Sequence, residues 1–314
     1  MMKSSYDTMR CDHCSSEAVT LIRYSGSHLC GEHLRSYVEK RVKREIRKQI
    51  DVRPGDTIAV AASGGKDSMV TLHLLNEIFG ERRDISLCAI TIDEGIKGYR
   101  PPSLDIVKEF CKERGIVSYV RSFSEMCLEM DTVASVSGEN SPCTYCGVFR
   151  RKLMNDQARA VGARYLATGH NLDDMAQSIM MNFVRGDVER LARLGPHTKV
   201  QPGLIPRFHP LRLIPEKESL LYAIVSGIPF WDGECPYYMD ALRNQYRDVV
   251  DQLEDRSPGS KFSILASYDT LKPILAEHFP PSGLHSCSCG EPTLGEKCKA
   301  CELQALLEKR IKGL

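Results

Sequence analysis

The chain has 314 residues, 42% hydrophobic and 26% charged, enough for one large globular domain with small appendages. No apolar run approaches the ~20 residues that span a membrane, and none near the start reads as a secretion signal, so a cytoplasmic protein without a membrane partner is expected. A net charge of +1 implies no partner by itself, while thirteen cysteines in such a chain point to metal or redox chemistry before structural disulfides.

The first element is a small module over residues 1–34. Cys11, Cys14, Cys30 and His33 follow the spacing C-x2-C-x15-C-x2-H, two chelating pairs that suit tetrahedral zinc. His13, between the first two cysteines, fits the same ion poorly. Residues 35–50 read as a linker helix. It carries Arg35, Lys40, Arg41, Lys43, Arg44, Arg47 and Lys48 against Glu39 and Glu45, as either a basic rod or a merely solvated face.

An α/β domain is expected over residues 51–280. Thr57–Ala62 reads as a buried strand and Met69–Leu75 as a helix, with Ser63-Gly64-Gly65-Lys66-Asp67-Ser68 between them. Glycine lets the backbone approach a ligand, and the first helical turn points its N–H groups at a phosphate. The loop is no Walker A motif, because Val60 and Asp67 stand where that motif has Gly and Ser or Thr. It also lacks the G-x-G-x-x-G dinucleotide spacing. Further strands near Leu87, Ile116 and Arg164 alternate with helices, which predicts a parallel sheet covered on both faces.

Gly138–Pro142 interrupts that pattern just before Cys143-Thr144-Tyr145-Cys146. This pair has no second pair nearby, so a closed four-ligand zinc site is hard to build from it. With the distant Cys235, three thiolates suit an iron–sulfur cluster with one open iron. Alternatively two of these thiols carry persulfide sulfur and close to a disulfide. Cys88, Cys111 and Cys127 read as inert thiols in apolar or helical surroundings.

After the Arg164 strand comes Gly169-His170-Asn171-Leu172-Asp173-Asp174, then a helix over Met175–Val184. Carboxylates there suit magnesium, or serve as a helix N-cap. Gly195–Pro215 reads as a surface loop, Met239–Leu253 as a helix and Ser257-Pro258-Gly259 as a break. Arg150, Arg151, Lys152, Arg185, Arg190, Arg193, Arg207 and Arg212 join the basic helix as a candidate phosphate-tracking surface. Residues 281–314 form a last module, with Cys287, Cys289, Cys298 and Cys301 as a second zinc set and a helix over Glu302–Lys312. Cys287 and Cys289 are one residue closer than usual, which leaves His285 as a rival ligand. Both modules are too small to build a core, so metal is expected to supply most of their folding energy.

Ser-Gly-Gly-x-Asp-Ser and Gly-His-Asn-x-Asp-Asp resemble the two nucleotide motifs of the PP-loop ATP pyrophosphatase superfamily. With the cysteine trio and the terminal ligand sets, their order resembles the tRNA 2-thiouridine synthetases of the TtcA/TtuA family over nearly the whole chain. Cys143–Arg151 is most similar to the archaeal and eukaryotic branch that thiolates uridine 34, and Lys typically replaces Arg150 in the branch that thiolates position 54. The resemblance implies an adenine nucleotide α-hydrolase-like fold and a tRNA sulfurtransferase that splits ATP into AMP and pyrophosphate. It implies that Ala62, Ser63, Gly64, Gly65, Lys66, Asp67 and Ser68 bind ATP, with Ile92, Asp93, Gly169 and Asp173 around them. Arg150 would stabilise phosphate charge and Asp174 would assist through magnesium. Cys143, Cys146 and Cys235 would hold a [4Fe-4S] cluster, or work as persulfide carriers. The sulfur donor would be sulfide or a ubiquitin-like thiocarboxylate carrier, and the enzyme a homodimer. Other PP-loop synthetases need no cysteine trio, and a non-catalytic zinc-dependent RNA-binding protein would leave both nucleotide motifs idle.

Overall fold

The computed structural model describes residues 9–138, 140–197, 201–238, 243–280 and 283–313. The chain enters through a short antiparallel hairpin, β1 (Thr20–Ile22) and β2 (Ser27–Leu29), then α1 (Gly31–Gln49). Alternation follows: β3 (Thr57–Ala61), α2 (Lys66–Phe79), β4 (Ser86–Asp93), α3 (Arg100–Glu113) and β5 (Val117–Ser122). Next come α4 (Met130–Val136), α5 (Pro142–Ala160), β6 (Tyr165–Ala167), α6 (Leu172–Val184), α7 (Val188–Ala192), β7 (Arg207–Phe208) and α8 (Glu216–Val225). The chain closes with α9 (Arg243–Arg256), α10 (Ser260–His278), the pair β8 (His285–Ser286) and β9 (Pro292–Thr293), and α11 (Lys299–Ile311).

The central sheet is parallel in the order β5-β4-β3-β6-β7, as the alternation predicts. Ile58 and Val60 face one layer, packed with α1, α2 and α8, while Ala59 faces the other with α5 and α11. Strand order reverses between β3 and β6. In open α/β sheets that reversal opens a crevice at the carboxyl ends of the strands. Both nucleotide-type motifs leave the sheet there, one after β3 and one after β6.

Three expectations need correction. Gly195–Pro215 is not simply a surface loop: it supplies β7, and Phe208, Leu211 and Ile214 are fully buried. A two-residue strand is too short to show alternation in sequence. Arg212 is likewise buried between Glu45 and Asp269 rather than on a phosphate-tracking surface. The terminal modules do not stand apart either. Ile22, Leu29 and Leu34 belong to the core under α2, and Cys287, Cys298 and Leu303 to the core under α5. Domain packing therefore helps hold both modules. The predicted 239–253 helix is described from Arg243 onward, and residues 239–242 lie outside the described residues.

The basic helix begins earlier than expected, at Gly31, with Cys30 at its N-cap. Leu34, Val38, Val42 and Ile46 are its buried stripe at helical spacing. Arg41 is no free cation: its guanidinium lies 4.9 Å from the Phe262 ring centroid and 5.1 Å from that of Tyr37, and it donates to the Tyr24 hydroxyl at 2.9 Å. Tyr24 in turn donates to the buried Glu218 at 2.6 Å. Burial pushes the Glu218 pKa from 4.5 up to about 7. The unfolded chain releases this proton near pH 4.5 and the folded one near 7, so this group's stabilisation is complete below the first value and lost as pH rises through the second. Denaturant midpoints of wild type are therefore expected to fall between pH 5 and 8 more steeply than those of Glu218→Gln, the difference being on the order of 2–3 kcal/mol. Parallel curves for the two proteins would refute the assignment.

Candidate active site

The loop after β3 has the construction an anion site needs. Gly64 has φ +84°, and a Cβ there would lie 2.3 Å from the Ser103 carbonyl oxygen. Gly65 is the N-cap of α2 and no side chain caps this helix, so its first N–H groups face the crevice unoccupied by the protein's own acceptors. The Ser68 hydroxyl accepts from the Ser63 N–H at 3.0 Å and donates to the Gly65 carbonyl at 2.8 Å, which rounds the loop. Asp67 accepts from Lys66 Nζ at 2.8 Å and from the Ser219 hydroxyl at 2.6 Å, so it orients the loop. Gly169 touches this loop from the β6 side: a Cβ would lie 2.8 Å from the Asp67 carbonyl carbon.

The two carboxylates after Gly169 have different surroundings. Asn171 caps α6, and Asp174 completes the box by accepting from the Asn171 N–H at 3.2 Å. Asp174 also meets Arg243 at 2.9 Å and remains 27% exposed. Asp173, expected beside the nucleotide, is buried, paired with Lys261 and accepts from the Glu216 N–H at 2.8 Å. Asp93 ends β4, beside β3, where its carboxylate accepts from the Gly95 N–H at 2.9 Å.

Cys143 and Cys146 occupy the first turns of α5, which Ser141 and Pro142 start. The loop bearing Cys235 is fastened at two points. Its Trp231 N–H donates to the Gly64 carbonyl at 2.8 Å, and its Tyr237 hydroxyl donates to Asp131 at 2.7 Å. Cys143 Sγ lies 3.6 Å from the Tyr237 carbonyl. The loop bearing half-buried Cys235 thus lies against both the phosphate-type loop and the N-terminal end of α5, where Cys143 and Cys146 are also half-buried. Burial pushes the Cys146 thiol up to about 11, against the pull of the Arg150 guanidinium, whose Nη2 lies 3.6 Å from the sulfur. Among the described residues only two groups of His, Cys, Asp or Glu bring all their ligand atoms within 4.8 Å of one another, and this trio is not one of them. Its spacing is too wide for one shared ion. Thiolates on three irons of a cube stand further apart than the ligands of a single ion, and three of them leave one iron open.

The two compact groups are Cys11, Cys14, Cys30, His33 and Cys287, Cys289, Cys298, Cys301. The second set needs no histidine, since His285 is exposed and meets the Gly295 carbonyl at 3.0 Å instead. Backbone N–H groups from Cys289 and Cys298 lower the Cys287 thiol to about 6, favouring the thiolate a metal takes. Cys88 and Cys111 are buried and pushed up to about 11, as inert thiols are, whereas Cys127 is exposed at φ +55°.

Sequence reasoning did not single out Arg100 or Glu94. Arg100 donates to the Ser63 carbonyl at 2.9 Å and to the Ile92 carbonyl, and pairs with the buried Glu94 at 2.6 Å. Glu94 also lies 3.7 Å from Arg150, so one buried pair links the loop to the thiol helix. Trp231 did carry a signal, as the chain's only tryptophan, four residues before Cys235.

A switch-point crevice, an uncapped helix behind a Ser-Gly-Gly turn and a second loop closing on it define a PP-loop nucleotide-binding enzyme. Residues 38–253 match the PP-loop domain family, and residues 10–35 match the N-terminal LIM domain of the 2-thiouridine synthetase TtuA. The chain is 39% identical to the tRNA 2-thiolation protein NcsA of Haloferax volcanii over 96% of its length and 99% of the relative's. It is 32% identical to the tRNA-5-methyluridine(54) 2-sulfurtransferase of Pyrococcus horikoshii, over 95% and 94%. The solved structure of the U34-tRNA thiolase NcsA from Methanococcus maripaludis with its [4Fe-4S] cluster superposes with a TM-score of 0.81 at 34% identity, covering 96% of this chain and 97% of that one. The chain belongs to the PP-loop tRNA 2-thiolation protein family.

Proposed function

We propose that this protein replaces the 2-oxygen of the wobble uridine, U34, of tRNA with sulfur at the expense of ATP. The observation that carries this reading is the Cys235 loop, fixed to the nucleotide loop through Trp231 and to the thiol helix through Tyr237 and Cys143. Sulfur chemistry and ATP chemistry therefore share one crevice. ATP lies with its β and γ phosphates against the loop of residues 63–68, on the uncapped first N–H groups of α2. A uridine extruded from the single-stranded anticodon loop presents O2 to the α-phosphate. Attack there gives an adenylated O2 and pyrophosphate. Arg150 faces the charge that develops, and Asp174, the carboxylate left partly exposed, is in reach of a hydrated magnesium ion. A sulfur nucleophile delivered at the trio adds to C2, and AMP leaves with O2. A [4Fe-4S] cluster on Cys143, Cys146 and Cys235 would supply one iron free of protein thiolate for a sulfide ligand.

Greater identity to the Haloferax NcsA than to the position-54 enzyme, 39% against 32%, supports U34 together with Arg150. The sulfur donor is sulfide or a thiocarboxylate carrier, and location is in the cytoplasm. No helix of the described residues is long and apolar enough to cross a membrane. A homodimer would cover the exposed apolar side chains of Phe183, Val184 and Ile274. The test is turnover by anaerobically purified protein with unmodified tRNA, ATP and sulfide. Expected are AMP, pyrophosphate and 2-thiouridine in equal amounts, lost when U34 is replaced by C. Pyrophosphate without thiouridine would overturn the thiolation, and thiouridine at position 54 would overturn the site.

Both compact ligand sets are assigned to structural zinc. Replacing Cys298 by serine is expected to remove one of two bound zinc ions and lower the melting temperature by on the order of 10 °C. Elemental analysis and calorimetry check this. An unchanged zinc content would refute the assignment.

A further inference from the structure

The segment after β4 carries a buried ion pair that joins three parts of the crevice. Glu94 and Arg100 are both buried, and Arg100 Nε meets Glu94 Oε2 at 2.6 Å. The remaining nitrogens of Arg100 are also committed. Nη1 donates to the Ser63 carbonyl at 2.9 Å and to the Ser103 hydroxyl at 3.0 Å, and Nη2 donates to the Ile92 carbonyl. Arg100 is thereby fixed on the nucleotide loop, and the Glu94 carboxylate on Arg100. The Glu94 backbone is pinned as well, its carbonyl accepting from the Met130 N–H at 2.8 Å.

The other carboxylate oxygen, Oε1, faces Arg150 of α5, whose Nε stands 3.7 Å away. Arg150 Nη2 donates to Cys146 Sγ at 3.6 Å, and Nη1 has no hydrogen bond among the described residues. The guanidinium is therefore held at two of its nitrogens, while the side chain stays 45% exposed and open to an anion. The unequal distances matter. Arg100, at 2.6 Å, neutralises Glu94, so the looser contact at 3.7 Å orients Arg150 without cancelling its charge. Balancing Arg100 alone would not require an arginine of α5 at the second oxygen. A free arginine samples many rotamers and gives them up when it meets an anion, whereas one already set in place stabilises developing charge without reorganising.

Resting on the adenylation step proposed above, we propose that Glu94 is a positioning residue: held on the nucleotide loop by Arg100, it sets the Arg150 guanidinium for the α-phosphate beside Cys146. The guanidinium meets the charge that develops as the bond from O2 to phosphorus forms and the bond to pyrophosphate breaks. The thiol helix and the nucleotide loop are thus kept in one register by a single carboxylate.

The test is a double-mutant cycle on pyrophosphate release from ATP and unmodified tRNA by the full, metal-loaded chain. Wild type, Glu94→Gln, Arg150→Gln and the double variant are compared for kcat and for the KM of ATP. Glu94→Gln is expected to lower kcat on the order of a hundredfold, as misplacing a group by about 1 Å does, with the KM of ATP within about twofold of wild type. Arg150→Gln lowers kcat at least as far, and the double variant is no slower than Arg150→Gln alone, because Glu94 acts only through Arg150. A general distortion of the loop would multiply the two losses and raise the KM of ATP, and either result overturns the inference. Wild-type kcat in Glu94→Gln overturns it too. Glutamine leaves the Arg100 charge buried without a counter-ion, so melting is followed for every variant. Where Glu94→Gln does not melt cooperatively, Glu94→Asp takes its place in the cycle and the same outcomes decide. Aspartate keeps a negative charge beside Arg100 but is one methylene too short to reach both arginines. Wild-type kcat in Arg150→Gln, with Glu94→Gln slow, overturns the inference and leaves the proposed function standing. Wild type that releases no pyrophosphate removes both.

Discussion

Replacing Cys143, Cys146 or Cys235 singly by serine is expected to lower 2-thiouridine formation by on the order of a thousandfold or more, a loss of about 4 kcal/mol of transition-state stabilisation. The zinc content and ATP-analogue affinity are expected to stay at wild-type values. The three positions are held by different means. Cys143 and Cys146 are one helical turn apart on α5, and Cys235 is brought to them by the Trp231 and Tyr237 tethers. Serine preserves the volume and these backbone anchors, so the loss reports the thiolate itself. The zinc ligands lie in separate sets, and the nucleotide loop is rounded by Ser68 and Arg100 rather than by any cysteine. Iron and sulfide analysis under anaerobic conditions, with thiouridine measured by nucleoside chromatography, checks each variant. A Cys235→Ser protein with wild-type iron and turnover would remove Cys235 from the mechanism. Loss of turnover with iron retained in all three would favour persulfide transfer over a cluster.

Those thiols were legible in the sequence because metal and sulfur chemistry select residue types, and short spacings confine where two of them point. The same holds for the Ser-Gly-Gly turn, whose strand and helix flanks carry periodic apolar patterns. Contacts set by tertiary packing left no such trace. Asp173 sits in a motif that suggests a ligand, yet its partner Lys261 comes from α10, 88 residues away. The basic residues look alike in sequence. Only the fold tells Arg212, closed in by two carboxylates, from Arg207, which forms no ion pair among the described residues. Strand β7 was hidden because two residues show no alternation, and its place is set by pairing with β6. Arg100 lies in a plain helical start and reaches Ser63 across 37 residues. Sequence thus names the reacting groups more readily than the residues that hold them in register.

The glycines of the crevice separate geometry from ligand contact. Gly64→Ala forces a side chain into the left-handed region, which costs about 1–2 kcal/mol before any contact is counted. Its Cβ would also stand 2.3 Å from the Ser103 carbonyl oxygen, a backbone atom of α3 that cannot turn aside. Relief requires the loop to move away from α3, and the Gly64 carbonyl then loses the Trp231 N–H at 2.8 Å. Phosphate-facing N–H groups and the Cys235 loop are displaced together. AMP formation is expected to fall on the order of a hundredfold or more, about 2.7 kcal/mol, with a melting temperature several degrees lower. Gly169→Ala acts from the facing loop, since its Cβ would stand 2.9 Å from the Ser68 N–H nitrogen. Gly65 is the control. With φ −76° and nothing nearer than the Ser63 hydroxyl at 3.6 Å, it accepts a methyl group without strain. Gly65→Ala is expected to melt with wild type yet to bind ATP more weakly, because the methyl occupies space that only a ligand phosphate uses. Calorimetry with ATP-analogue titration distinguishes the cases. Wild-type ATP affinity in Gly64→Ala would show that this turn does not hold the nucleotide. Wild-type affinity in Gly65→Ala would place the phosphates further from the backbone than an N–H cradle allows.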